Sequence, residues 1–388
     1  PMPRPFPTLA LALALAALPA LAAAFQTEAR AAYVVDLNTG TVLLEKNADT
    51  PLPPASMSKL MTLYVLFEAL RDNPNLTLET RFGVSTKARE MGGSTMFLNE
   101  RDRPTVEELI KGIIVQSGND ATVVVAEGLA GNEDAFARMM TERARDMGLE
   151  NSTFTNASGW PAPGHEMSAK DLTTLATRLI VDFPDLYEWF AMAEYPFDGR
   201  APQNRFNRNP ILDLGIGGDG LKTGYTSQAG FGLVGSAAQG DRRVVFTISG
   251  LPTRQARAEE AERIVAWSFR QYLETRIAAR GDRIAEAPVW MGAAQSVGLV
   301  APRDLTILTE AVSRDETTAE VVFDSPLQAP VMAGDRVADL VVTRTGLPEA
   351  RLPLVADADV PYGGFVPRVR SAGLTLVDRL IGQAAALF

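Results

Sequence analysis

Residues 51–71 read Pro51-Leu52-Pro53-Pro54-Ala55-Ser56-Met57-Ser58-Lys59-Leu60-Met61-Thr62-Leu63-Tyr64-Val65-Leu66-Phe67-Glu68-Ala69-Leu70-Arg71. Three prolines form a rigid approach. From Ser56 the chain turns helical and is apolar on nearly all sides. A helix without a polar face is a buried one, so this stretch predicts a central helix with the fold built around it. At its start, Ser56 and Lys59 stand three residues apart and share a face. Free backbone N–H groups and the helix dipole favour negative charge there. A lysine one turn on accepts the serine proton if its surroundings keep it neutral.

Working outward, residues Ala32–Lys46 read as a hairpin about the turn Asn38-Thr39-Gly40. Residues 76–160 read as mainly helical. Thr105 with Glu108 has the spacing of a capping box, and Asn132–Met147 is amphipathic. A further helix is expected over Ser168–Val181. Gly217-Gly218-Asp219-Gly220 reads as a tight loop, and Leu221–Tyr225, Gly232–Ala238 and Arg243–Ser249 as strands. Glu259–Thr275 reads as the closing helix. The strands are joined by local turns, which predicts an antiparallel sheet flanked by helices, an α/β unit over residues 25–276. Residues 285–360 alternate short β-like runs with Gly, Pro and Asp turns and predict a small all-β domain.

The two ends differ from the rest. Arg4, the Leu/Ala run from Leu9 to Leu21 and Ala22-Ala23-Ala24 have the order of a secretory signal over residues 1–24. The run is short for a membrane span and holds Pro19. At the other end, residues 364–388 form an amphipathic helix in the sequence pattern, with Val369, Leu376, Val377, Leu380, Ile381, Ala384, Leu387 and Phe388 on one face. It fits an interfacial anchor or a helix docked on its own protein. The expectation is an exported protein, periplasmic and peripheral on the outer face of the inner membrane.

Composition narrows the chemistry. The 388 residues carry a formal net charge of −10, which argues against a nucleic-acid partner. There are no cysteines and His165 is the single histidine, so the usual zinc sites are excluded and no metal or other cofactor is expected. A Ser-His-Asp triad would have to use His165. Another base has to serve any other nucleophile, and Lys59 is placed to do so.

Two further motifs follow in order. In Ser117-Gly118-Asn119 a hydroxyl can relay protons and an amide can both donate to and accept from a peptide. Lys222-Thr223-Gly224 falls on an expected strand, where Lys222 and Thr223 can hold a carboxylate and Gly224 lets another backbone approach. Each alone is commonplace. The ordered set Ser-x-x-Lys, Ser-x-Asn and Lys-Thr-Gly is a signature of penicillin-binding proteins and class A β-lactamases.

On these motifs, with Gly92–Leu98 (GGSTMFL), Gly112–Ala121 (GIIVQSGNDA) and Asp219–Ser227 (DGLKTGYTS), the chain resembles the D-alanyl-D-alanine carboxypeptidases, low-molecular-mass serine penicillin-binding proteins. The resemblance covers nearly everything after the first 24 residues. It implies that Ser56 is acylated by the penultimate D-alanine of peptidoglycan pentapeptide stems and by β-lactam antibiotics, with Lys59 as base. It implies that Ser117 and Asn119 assist proton transfer and substrate binding, and that Lys222 and Thr223 hold the terminal carboxylate. The backbone N–H groups of Ser56 and Tyr225 would form the oxyanion hole. Arg257 falls where the family often has a carboxylate-binding arginine. Tyr225 stands where the family often has histidine. His165 and Glu166 read as loop residues rather than as a catalytic base. A DD-endopeptidase usually lacks the β domain, and a β-lactamase needs a deacylating base that the sequence does not show. A non-catalytic penicillin-binding scaffold is the alternative of another class; three intact motifs argue against it.

Overall fold

The computed structural model describes residues 25–311 and 317–364. The expected signal segment and C-terminal amphipathic helix therefore lie outside the described residues.

The chain opens with the hairpin β1 (Ala31–Asp36) and β2 (Val42–Lys46). After a short 3-10 turn over Ala55–Ser58 comes α1 (Lys59–Asp72), buried from Lys59 to Phe67 as its sequence requires. A single turn α2 (Thr86–Arg89) precedes α3 (Val106–Lys111), which Thr105 and Glu108 start with the expected capping box. Next come α4 (Asn119–Ala130), α5 (Glu133–Asp146) and α6 (Ala169–Asp182). Asn132 and Ser168 cap the last two, each accepting a backbone N–H three residues on. The short α7 (Pro184–Tyr187) leads to a long irregular stretch, then to β3 (Gly218–Thr226), β4 (Gly230–Gln239), β5 (Arg242–Leu251) and α8 (Arg254–Gln271).

The first sheet has the order β2-β1-β5-β4-β3 and is antiparallel throughout. Alternate residues of its strands enter two cores. Leu221, Val234 and Val245 pack with α1, α4 and α6 on one face, and Val34, Leu233, Val244 and Phe246 pack with α8 on the other. Strand β3 is an edge, and that edge meets the Ser56 turn.

Two boundaries differ from the sequence expectation. The closing helix starts at Arg254, capped by Thr253, and ends at Gln271, so Tyr272–Thr275 are not helical. They belong to β6 (Tyr272–Ala278), which pairs antiparallel with β9 (Leu305–Glu310). Helical periodicity runs on through Tyr272, but the distant partner strand decides the backbone. Likewise β3 starts at Gly218, inside the expected loop; the turn is confined to Gly217 (φ 86°), and an irregularity between Gly218 and Gly220 absorbs the extra residue.

The remaining strands are β7 (Arg283–Trp290), β8 (Ser296–Val300), β10 (Thr318–Val322), β11 (Leu327–Gln328), β12 (Arg336–Arg344) and β13 (Leu347–Ala356). They form a sheet in the order β10-β12-β13-β8-β7-β11, with its own apolar core around Leu299, Leu340, Val342 and Leu354. A buried arginine ties the two regions together. Arg242 binds Asp36 Oδ2 at 2.6 Å and donates to Ser268 O (2.9 Å) and Tyr272 O (2.7 Å), at the end of α8 where the dipole favours a cation.

Candidate active site

Ser56 sits in the 3-10 turn just ahead of α1. The preceding Ala55 is held at φ 49°, a left-handed conformation that non-glycine residues seldom adopt. Two glycines press the turn into place. A Cβ on Gly159 would stand 1.9 Å from Ala55 O, and one on Gly224 would stand 2.9 Å from Pro54 O. The close approach expected at Gly224 is thus present. The one at Gly159 was not foreseen, because Ser158-Gly159 carries no motif.

Lys59 is fully buried. Its Nζ lies 2.9 Å from Ser56 Oγ, 2.7 Å from Asn119 Oδ1 and 2.5 Å from Ser158 O. Asn119 Nδ2 donates to Gly92 O at 2.8 Å, which leaves Oδ1 to face the lysine. A neutral amine has two N–H groups and one lone pair. The amide and backbone oxygens have no hydrogen to give, so they take the two N–H groups. The lone pair then faces the Ser56 hydroxyl. Burial lowers the Lys59 pKa to about 7; the Arg208 cation adds to the fall and Asp120 opposes it.

Ser117 ends a π-helical turn, Gly112–Gln116, and adopts φ 58°, ψ 38°, the left-handed region again. This turn points Ser117 and Asn119 into the cavity beside Ser56, which both residues line. Asp120, next in sequence, fixes the neighbouring loop. Its buried carboxylate accepts the N–H groups of Met96 (2.9 Å), Leu98 (3.0 Å) and Ala121 (2.9 Å). Burial raises its pKa, and those N–H groups draw it partly back. Asp120 therefore holds Gly92–Leu98 against the start of α4.

Thr223, Gly224 and Tyr225 line the cavity from edge strand β3. Lys222 is buried behind them, its pKa pushed well down by burial first and then by Arg208, Lys59 and Arg257. The Tyr225 ring is exposed and stacks on Phe231 with centroids 4.2 Å apart. Arg257, on α8, also lines the cavity and donates to Arg208 O at 3.1 Å. Burial, then Arg254 and Arg208, lower its pKa to about 10.

The cavity holds about 450 Å³ and is lined by Arg208, Arg254 and Arg257 but by no acid. None of the three makes an ion pair among the described residues. Arg208 Nε and Arg257 Nε are buried without a hydrogen-bond partner. Unpaired buried cations of this kind are satisfied by an anion with the planar geometry of a carboxylate. Arg208 and Arg254 were not picked out from the sequence. Arg254 offered a signal, since it and Arg257 sit in the first turn of a helix, where the dipole disfavours cations. Arg208 lies in an irregular stretch and offered none. Nor did Ser158, which acts through a carbonyl that any residue would supply.

His165 is buried outside this cavity. Its Nδ1 accepts the Thr155 N–H at 3.1 Å, so Nε2 carries the hydrogen and donates to Ser58 Oγ at 2.7 Å. Burial and the Lys59 charge lower its pKa to about 4. It is a neutral strut between the 155–165 loop and the Ser56 turn.

Comparison with known proteins agrees with this geometry. The family model of D-alanyl-D-alanine carboxypeptidase matches residues 18–253, and that of the penicillin-binding protein 5 C-terminal domain matches residues 272–362. The D-alanyl-D-alanine carboxypeptidase DacF of Bacillus subtilis (strain 168) is 31% identical over 348 residues, 87% of each chain. Penicillin-binding protein 5 from Haemophilus influenzae superposes with a TM-score of 0.78 at 32% identity, covering 87% of this chain and 98% of that one. Penicillin-binding protein D2 from Listeria monocytogenes, solved in its ampicillin-bound form, matches at 29% identity and a TM-score of 0.57 over 63% of this chain and 98% of its own. With a buried lysine set against the serine, a cationic cavity beside it and a β domain behind, this chain belongs to the D-alanyl-D-alanine carboxypeptidase family of serine penicillin-binding proteins.

Proposed function

We propose that the protein removes the terminal D-alanine from peptidoglycan pentapeptide stems through an acyl-enzyme on Ser56, and that β-lactams acylate the same oxygen. The observation that carries this reading is Lys59 Nζ, fully buried and 2.9 Å from Ser56 Oγ, with its other two neighbours both acceptors.

The terminal carboxylate of the substrate binds among Thr223, Arg257 and Arg208. Ser56 Oγ attacks the carbonyl carbon of the penultimate D-alanine while its proton passes to neutral Lys59. The oxyanion forms against the backbone N–H groups of Ser56 and Tyr225. The C–N bond then breaks, and the leaving amine takes the proton from Lys59, with Ser117 as relay. Water attacks the ester carbonyl as Lys59 takes its proton; the acyl C–Oγ bond breaks, Lys59 returns the proton to Ser56 Oγ, and the shortened stem leaves with a free carboxylate. Asn119 fixes Lys59 and the peptide backbone.

The test is D-alanine release from a pentapeptide, with covalent labelling by penicillin in parallel. Ser56→Ala should abolish both. Wild-type protein that is labelled by penicillin yet releases no D-alanine would falsify the carboxypeptidase reading in favour of a scaffold. Acylation should rise about tenfold per pH unit up to pH about 7 and level off above it, because only neutral Lys59 accepts the proton. A flat profile removes Lys59 as base.

For the place of action we propose export and peripheral attachment to the outer face of the inner membrane. Export through residues 1–24 and peripheral attachment through residues 364–388 are supported by their charge and apolar patterns. Fractionation of full-length protein against one ending at residue 363 tests the attachment; equal release from membranes would remove it.

A further inference from the structure

The β region holds a cavity of its own, of about 440 Å³, lined by Trp290, Asp324, Ser325, Pro326 and Gln328. Strand geometry explains how its walls meet. Strands β7 and β11 pair in parallel, with Val289 beside Leu327 and Trp290 beside Gln328. Successive side chains of a strand point to opposite faces. Val289 and Leu327 enter the apolar core, so Trp290 and Gln328 stand together on the outer face. Asp324, Ser325 and Pro326 come from the connection between β10 and β11 and are exposed.

These side chains are not used by the fold. Trp290 is the one tryptophan among the described residues of this region, yet it is neither in the core nor packed against it. It stacks on no other ring among the described residues, whereas Trp267 packs on Phe25 and Tyr272. The side chains of Trp290, Asp324, Ser325 and Gln328 make no hydrogen bond or ion pair among the described residues. An indole and four polar groups therefore face one concave surface with nothing of the protein bound to them.

We propose that this cavity binds a neutral N-acetylated amino sugar and so grips the glycan that carries the peptide stems. One face of a sugar ring is a patch of C–H groups, which a flat indole covers. The groups at the ring edge both donate and accept hydrogen bonds. Here the Asp324 carboxylate accepts from hydroxyls, Trp290 Nε1–H and the Ser325 hydroxyl donate, and the Gln328 amide does both, as an acetamido group requires. No lysine or arginine lines the cavity, so an anion finds no partner there. A cation would leave the three donors unused. The choice of an amino sugar over other sugars rests on the carboxypeptidase reading of the first cavity, whose substrate hangs from such a glycan. A grip outside the catalytic unit raises the effective concentration of joined stems at Ser56 and leaves the chemistry untouched.

The test titrates the full chain by calorimetry with a β-1,4-linked tetramer of N-acetylglucosamine and with the glucose tetramer of the same linkage. The amino sugar should bind, and the glucose tetramer about fivefold more weakly, the worth of one amide hydrogen bond. Trp290→Ala should weaken binding about tenfold, and Gln328→Ala about fivefold. No binding of the amino sugar, equal binding of glucose, or unchanged binding in Trp290→Ala overturns the site. Where Trp290→Ala melts earlier than wild type, Gln328→Ala decides, because that side chain is exposed and supports no core. Kinetics separate this site from the first. Trp290→Ala should release D-alanine from a free pentapeptide at the wild-type rate but show KM raised about tenfold on stems still joined to glycan strands. An unchanged KM on joined stems overturns the grip on the substrate. Wild type that binds the amino sugar yet releases D-alanine from neither substrate fails the carboxypeptidase reading and leaves the sugar site standing.

Discussion

The chain up to Gln271 buries charge freely, whereas the β region after it buries almost none. Lys59, Asp120, His165, Lys222 and Arg257 are all buried in the first part, while Arg344 is the sole buried polar or charged residue among the described residues beyond Gln271. Backbone strain follows the same division. Among non-glycine residues, Ala55 and Ser117 hold positive φ beside the reactive serine and Asn47, Phe97 and Asp198 elsewhere in the first part, against Met291 alone among the described residues of the β region. Desolvated charge and strained backbone oppose folding. The first region tolerates them because its apolar helices and two cores over-determine the site. The described residues of the β region hold no such site, and its strands pack on a core of their own.

The contrast can be broken most sharply at Lys59. Lys59→Met should cut D-alanine release about 1,000-fold, the scale of a lost general base. At pH 6 it should also raise stability by about 1 kcal/mol, since removing a buried charge outweighs two unpaired acceptors. A variant that keeps activity within tenfold, or melts earlier than wild type, would contradict the comparison.

Leu354 is fully buried in the apolar core of the β region. Leu354→Ala should cost about 3 kcal/mol and leave kcat/KM for D-alanine release unchanged at 25 °C. A matching loss of activity would mean that the β region steadies the active site.

Acid should find the first region through His165. Unfolded, this histidine takes a proton near pH 6.5; folded, it does so only near pH 4. The unfolded state therefore binds more protons between those values, and stability falls as pH drops from 6.5 to 4, by up to about 3 kcal/mol. Below pH 4 both states are protonated and this slope ends. Urea melts of wild type and His165→Gln across that range should diverge; parallel curves would clear His165 of the effect.

The smallest change concerns strain. Ala55→Gly should stabilise by about 1 kcal/mol, the left-handed penalty less the added freedom of the unfolded chain. Thermal melts measure it. No gain would show that φ 49° costs little here.

Much of this was legible beforehand because it is local. The all-round apolar run from Leu60 to Phe67 could only be a buried helix, and Thr105 with Glu108 could only start one cleanly. The three motifs named their residues because the chemistry needs those side chains at those spacings. The end of α8 was misread at Tyr272–Thr275 because β9 begins thirty residues later in the chain. Local periodicity carries no word of such a partner.

Ser56 and Lys59 as a pair, the negative net charge and the lone histidine were set by the sequence alone, since spacing and composition need no coordinates. What makes the pair reactive was decided in three dimensions. Ser158 O and Asn119 Oδ1 reach Lys59 from 99 and 60 residues away. Arg208 and Arg257 come from two further segments to charge the cavity. A pKa near 7 is a property of burial and of neighbouring charge, and both exist only once the chain has closed around the lysine.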